Sequence, residues 1–284
     1  MSEEYVTDQT KQFKDKVIVI TGSTQGSGAE TAKLFAHRGA KAITICGRQE
    51  NEGESVKNEI QSIGSKCIYV KADLNKEDDC RNVISLTEKE FGTINSLVNV
   101  AGYTERGTIL STSIDNYDKN FNINTKAPFI LMQESIKIMI RDKNKGTIAN
   151  VLSVAKYSGM PFLMAYSSSK AALGIMTKNI ANAVSGHQIR VNGLNIGWTD
   201  TPGEHSIQKR VHEGGEDWLE KAEKKVPFKR LTKPIDVARA LAFLCSTESG
   251  LMTGSLVDCD QTVNGWHSYS AYDSSILDSS LLGE

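Results

Sequence analysis

Tyr166 and Lys170 are the pair of residues that points most directly to chemistry. They stand four apart at the start of the helically patterned stretch Met164–Val184, and residues four apart share one helix face. A phenol beside an ammonium can pass a proton. A free tyrosine ionises near about 10, and lowering that value by roughly 3 units requires about 4 kcal/mol in favour of the phenolate. The charge of Lys170 acts in that direction. Ser153 lies 13 residues before Tyr166, just past the apolar run Thr147–Leu152. Its hydroxyl can hydrogen-bond a substrate oxygen and steady charge that develops there. The three residues suit a carbonyl that becomes an alcohol, where an alkoxide needs a proton, and the reverse, where an alcohol needs a base. Tyr-x-x-x-Lys alone is common; its position after a strand-like run makes it specific.

A second cluster supplies the partner such chemistry needs. The β-branched run Val17–Thr21 leads into Thr21-Gly22-Ser23-Thr24-Gln25-Gly26-Ser27-Gly28, and a helical pattern starts at once from Gly26 to Arg38. Gly22 permits a sharp turn, Gly26 a close approach of backbone to a pyrophosphate, and Gly28 close packing of the helix on the sheet. Free N–H groups and the helix dipole then face the phosphates. The next run ends at Cys46-Gly47-Arg48. An NAD-binding fold holds the ribose diol with an Asp or Glu there; Gly47 occupies that place, and Arg48 offers a planar fork to a 2′-phosphate. The cofactor expected is NADP in preference to NAD.

The elements that must position these residues alternate. Strand-like apolar runs at Val17–Thr21, Ala42–Cys46, Cys67–Val70, Leu97–Val100, Thr147–Leu152, Ile189–Leu194 and Ser255–Asp258 are separated by helical patterns, among them Asn51–Ile63, Lys76–Phe91, Asp115–Arg141, Met164–Val184 and Pro234–Cys245. Continuous apolar runs are strands buried on both faces. The order predicts an α/β fold: a single Rossmann-type, doubly wound parallel sheet of about seven strands with helices on both faces.

The spacing Thr-Gly-x-x-x-Gly-x-Gly, followed by Tyr-x-x-x-Lys, resembles the short-chain dehydrogenase/reductase family over nearly the whole chain, from about residue 13 to about 265. That resemblance implies a cofactor site made by Gly22, Thr24, Gln25, Gly26, Ser27 and Gly28 in the turn, with Arg48 at the ribose. Gln25 counts against NADP, because NADP-using relatives often carry a basic residue there. Asp73 and Leu74 at the third strand's end would meet the adenine. Asn99, Ala101 and Gly102 resemble the family's Asn-Asn-Ala-Gly, with Val100 in place of its second Asn, and would let the ribose and nicotinamide lie against the backbone. Tyr166 and Lys170 would also touch the cofactor, Lys170 through the nicotinamide ribose. Ile196, Thr199 and Thr201 resemble the stretch that closes on the nicotinamide amide, although Ile196 stands where the family usually has Pro. Asn124, in Asn124-Thr125-Lys126-Ala127-Pro128-Phe129, completes the catalytic set with Ser153, Tyr166 and Lys170 by holding a water that links Lys170 to solvent; Asn122 is the competing position. Relatives are usually tetramers, sometimes dimers, which makes a homo-oligomer the expected state.

Composition sets outer bounds. Lys plus Arg total 33 and Asp plus Glu 34, a net charge of −1, which argues against a nucleic-acid partner held by bulk charge and against a membrane surface. No apolar run is long enough to span a bilayer, and no secretory signal opens the chain. Five scattered cysteines suit a reducing compartment, so the expected location is the cytoplasm. Residues 1–15 are expected to be a flexible arm, 16–265 the dinucleotide-binding and catalytic domain, 199–228 a lid, and 266–284 a tail. His205 and His212 in the lid lack metal-ligand spacing, so no metal is expected. Trp198, Trp218, Met160, Phe162, Tyr103, Glu105 and Arg106 are candidates for lining the pocket of a small-molecule substrate. The polar lid leans toward a sugar- or polyol-like compound. Two rivals are a sugar-nucleotide epimerase or dehydratase, which would need a different glycine spacing and a larger C-terminal domain, and a cofactor-sensing regulator, which would often lack the Tyr or Lys.

Overall fold

The computed structural model describes residues 8–157, 159–211, 215 and 217–263. The apolar runs become seven parallel strands: β1 (Val17–Thr21), β2 (Ala42–Gly47), β3 (Lys66–Lys71), β4 (Ser96–Asn99), β5 (Thr147–Ser153), β6 (Arg190–Ile196) and β7 (Leu256–Cys259). They form one sheet in the order β3-β2-β1-β4-β5-β6-β7. Every residue of β1, β4 and β5 is buried, as expected for strands covered on both faces. The helices are α1 (Gly26–His37), α2 (Glu50–Ile63), α3 (Glu77–Phe91), α4 (Ile114–Phe121), α5 (Ala127–Arg141), α6 (Met164–Val184), α7 (Pro202–Val211), α8 (Trp218–Lys225) and α9 (Pro234–Cys245).

Alternation along β1 sends Val19 to one core and Ile18 and Ile20 to the other. The first core is closed by α3, α5 and α6 through Val83, Leu131, Met139 and Leu173. The second is closed by α1, α2 and α9 through Phe35, Ile60 and Leu241. The chain leaves β1 toward β2 and β3 on one side and returns to β4 on the other. The C-terminal ends of β1 and β4 therefore border a crevice, the usual ligand position in an open α/β sheet.

Two stretches depart from the sequence reading. The helical pattern Asp115–Arg141 is one continuous prediction, but the structure places a π-helical turn at Asn122–Lys126 between α4 and α5. Pro128 gives a physical reason: it has no N–H for the carbonyl of Asn124, its i−4 partner. The other departure is in the expected N-terminal arm. Residues 1–7 of it, and the expected tail, lie outside the described residues, but Gln9–Lys11 forms a 3₁₀ turn. Phe13 is buried and stacks on Phe35 with ring centroids 4.2 Å apart. Its N–H donates to Arg38 O at 2.9 Å. The described end of the arm is part of the core because a large aromatic at position 13 fills the space beside α1.

Candidate active site

The glycine turn has the shape that its sequence requires. Gly22 and Gly26 have φ of +61° and +56°, a region that L side chains disfavour. A Cβ at Gly22 would lie 2.7 Å from Ala101 Cα, and one at Gly28 would lie 2.1 Å from Gly22 O. The turn is thus pressed against the end of β4 on one side and the first turn of α1 on the other. Side chains outside the predicted set hold it. Ser23 Oγ donates to Ile20 O at 2.6 Å and accepts from Cys46 N at 3.0 Å. Thr21 Oγ1 accepts the N–H groups of Val100 and Ala101 at 3.0 and 3.1 Å. Hydroxyls in and before a glycine turn were the available signal for both. This cradle, which a Cβ would fill, fits a dinucleotide on the N-terminus of α1.

The ribose end shows one unexpected feature. Arg48 is exposed and pairs with no carboxylate among the described residues. A Cβ at Gly47 would lie 2.6 Å from Thr24 Cγ2 and 2.9 Å from Thr24 Oγ1. Thr24 therefore occupies the space through which an acidic side chain at position 47 would leave the backbone. Asp73 Oδ1 accepts from Asn75 N at 3.1 Å, capping its own turn, while Leu74 is buried. Asn99 Nδ2 donates to Asn150 Oδ1 at 2.8 Å, which ties the end of β4 to the middle of β5.

Ser153, Tyr166 and Lys170 come together beyond the ends of β5 and β6. All three are buried, and the Ser153 hydroxyl acts on the Tyr166 phenol, holding its pKa down. Ser153 Oγ also accepts Ala155 N at 3.1 Å. Lys170 Nζ donates to Val151 O at 2.7 Å, and burial pushes its pKa down to about 8. Burial pushes the Tyr166 phenol up, opposed by the Ser153 hydroxyl and the Arg106 guanidinium and assisted by the Glu204 carboxylate. The charge of Lys170 is expected to lower the phenol, but in the structure Lys170 is turned to the β5 backbone, and desolvation dominates at Tyr166. Gly102 lies between the remaining parts, since a Cβ there would be 3.7 Å from Lys170 Nζ and 3.8 Å from Asn124 Oδ1. Asn124 projects from the π-helical turn. Its Oδ1 accepts Tyr103 N and its Nδ2 donates to Tyr103 O, both at 2.8 Å, and Nδ2 also reaches Ser169 Oγ at 3.0 Å. The side chain is spent on holding the loop after β4. Asn122 instead donates to Asn75 at 3.1 Å.

The expected lid, residues 199–228, follows the end of β6 at Ile196 and contains α7 and α8. Thr201 Oγ1 accepts Glu204 N at 3.2 Å and caps α7. Thr201 also lies 3.5 Å from the Cβ position of Gly26, so the lid's first turn rests on the glycine turn. Thr199 is buried and donates to Gly197 O at 2.9 Å. Trp218 is not a pocket wall: it is buried against Ala222 and Leu231, edge-on to His205, and donates to His205 Nδ1 at 3.1 Å. His205 Nε2 meets Asp200 at 2.7 Å, and Lys233 joins Asp200 and Glu223 at 2.9 Å each. This network fixes α7 and α8 to the start of α9. His212 lies outside the described residues, among which no group of three or more His, Cys, Asp or Glu could hold a metal. No helix among them is long and apolar enough to cross a membrane.

A doubly wound sheet, a glycine cradle at β1 and a Ser–Tyr–Lys set at β5–α6 define the class. The chain belongs to the short chain dehydrogenase family, which it matches over residues 16–212. An uncharacterized oxidoreductase of Thermotoga maritima is 35% identical to it over 248 residues, covering 87% of this chain and 97% of that protein. The 3-oxoacyl-[acyl-carrier-protein] reductase FabG of the same organism is 32% identical, covering 88% and 98%. Among solved structures, a short-chain type dehydrogenase/reductase from Mycobacterium marinum is similar with a TM-score of 0.81 at 26% identity, covering 90% of this chain and 98% of that one. The protein is an oxidoreductase of this NAD(P)-dependent family.

Proposed function

We propose that this oxidoreductase interconverts a secondary alcohol and a ketone, with NADP(H) preferred over NAD(H) and Tyr166 as the group that gives or takes the proton. The observation that carries this reading is the burial together of Ser153 at the end of β5 and of Tyr166 and Lys170 one turn apart on α6, at the same sheet edge as the glycine cradle. The cofactor, when bound, supplies or accepts the hydride. Gly22, Thr24, Gln25, Gly26, Ser27 and Gly28 hold its pyrophosphate. Arg48 faces the ribose 2′ position, and Asp73 and Leu74 the adenine. Asn99, Ala101 and Gly102 form the floor, and Ile196, Thr199 and Thr201 close on the amide.

Tyr166 is kept as a neutral phenol by burial, the state of a proton donor to an alkoxide. Ser153 is placed to bind the substrate oxygen. Lys170 holds positive charge beside them, and a water held at Asn124 links it to solvent. The polar lid favours a small hydroxylated substrate of sugar or polyol type, and the protein works as a homo-oligomer. A panel of alcohols and ketones, followed by absorbance of the reduced cofactor with both NADP(H) and NAD(H), tests this reading. Turnover of secondary alcohols or ketones, faster with NADP(H), is the expected result; no turnover of any member overturns it.

A further inference from the structure

The wall facing Tyr166 carries an ion pair that the reaction itself does not require. Arg106 Nη2 lies 3.3 Å from Glu204 Oε1 and 3.5 Å from Oε2. The two side chains are only 13% and 12% exposed. Their place beside the reacting centre is fixed by backbone. Gly107 N donates to Phe162 O at 2.9 Å, and Gly107 pairs with Leu163, three residues before Tyr166. This holds the segment after β4 against the loop that enters α6. Both charges act on the Tyr166 phenol, with opposite sign.

Glu204 is held firmly and unevenly. Its Oε1 accepts from Trp198 Nε1 at 2.9 Å and Gln208 Nε2 at 2.7 Å as well as from Arg106, whereas Oε2 is met, among the described residues, by Arg106 at 3.5 Å. Position 204 is in the first turn of α7, where a carboxylate is favoured by the helix dipole. Next to this pair, Arg210 grips Glu105 with two hydrogen bonds of 3.0 and 2.7 Å. Adjacent residues of one loop thus meet α7 with charges in opposite order, and the wall is neutral overall.

We infer that Arg106 and Glu204 determine specificity for an uncharged substrate bearing a hydroxyl next to the reacting carbon. This rests on the alcohol–ketone reading above and assigns its substrate contacts. An alcohol O–H donates to Glu204 Oε2, and its oxygen accepts from Arg106 Nη2, which it shares with Glu204. A hydroxyl is both donor and acceptor, and so can serve both charges at once. A carboxylate at the same place faces a Glu204 already fixed by three donors. An alkyl chain strips water from the pair and returns no hydrogen bond.

The test uses matched ketones: cyclohexanone and 2-hydroxycyclohexanone, 2-butanone and 1-hydroxy-2-butanone, and 2-oxobutanoate as the carboxylate. Wild type is compared with Glu204→Gln, and NADPH titration by fluorescence verifies that the variant is folded. The expected result is a preference of wild type for the hydroxylated partner of about tenfold or more in kcat/KM, expressed mainly in KM, and loss of about tenfold of that ratio in the variant. Should Glu204→Gln fail to bind NADPH, the charge-swapped Arg106→Glu/Glu204→Arg protein keeps an ion pair and must show the same loss. Ketones turned over with no hydroxyl preference, a preference for 2-oxobutanoate, or an unchanged ratio in the folded variant overturns this inference alone. Failure of wild type on every ketone overturns the alcohol–ketone reading and this inference with it.

Discussion

Lys170 directs its Nζ to the carbonyl oxygen of Val151 at 2.7 Å, inside a site where burial holds its pKa down to about 8. The ammonium is thus stored against the β5 backbone, at a cost to the folded chain. A lysine whose folded pKa lies below its unfolded value destabilises the protein while it is charged in both states, and the penalty is relieved as pH rises from the folded toward the unfolded value. From 10.5 to about 8, the penalty is roughly 3 kcal/mol. Lys170→Met should therefore raise the Tm of the cofactor-free protein by a few degrees at pH 7, less whatever the Val151 carbonyl loses. The gain should shrink between pH 8 and 10.5. The same variant should be inactive and bind cofactor poorly. Thermal melts across that pH range check the sign; a lower Tm at pH 7 would show that the Val151 hydrogen bond outweighs desolvation.

Tyr166→Phe should lower turnover by about 10²–10⁴-fold, with cofactor affinity within about twofold of wild type, because only the hydroxyl is removed from a ring that packs on Ala155 and Leu163. Since burial raises the phenol's pKa, its proton is present at neutral pH. Ketone reduction should be flat there, whereas alcohol oxidation should climb with pH. Profiles of kcat/KM in both directions measure this.

Cofactor choice has a structural complication that alters the obvious experiment. Arg48→Ala should weaken NADP(H) by about ten- to a hundredfold, the range of a charge-assisted hydrogen bond, and NAD(H) much less. Gly47→Asp alone should bind both cofactors poorly, because its Cβ would meet Thr24 at 2.6 Å. Thr24→Ala/Gly47→Asp removes both of the nearest clashing atoms and should turn preference to NAD(H). Dissociation constants for the two cofactors on all three proteins decide it.

Phe13→Ala should cost about 3–5 kcal/mol, since the ring is buried and stacked on Phe35. Urea denaturation measures the loss. A change below about 0.5 kcal/mol would mean that the segment before β1 is dispensable.

Much of this was legible from residue order. β1 and α6 follow from an unbroken apolar run and a sustained 3.6-residue period, and Ser153, Tyr166 and Lys170 from their places on them. The π-helical turn at 122–126 was not, because one extra residue per turn hardly disturbs a helical period; Pro128 was the clue. Arg106–Glu204 and Glu105–Arg210 join residues 98 and 105 positions apart, which no local pattern encodes. Trp218 is a pocket candidate by residue type alone, and its packing on Leu231 and against His205 depends on contacts that no local pattern encodes.

The link from Thr21 to the N–H groups of Val100 and Ala101 also bears on how the chain is built. It joins residues about 80 apart, with three helices, α1 to α3, between them, and parallel pairing over such distances is slow to form. On the ribosome the glycine turn leaves the exit tunnel long before its partner on β4 exists. Thr201, which rests on Gly26, follows only after another hundred or so residues. A nascent chain therefore carries the nucleotide-binding sequence for most of its synthesis without the nucleotide-binding shape, and the cofactor can assist only the last stage of folding.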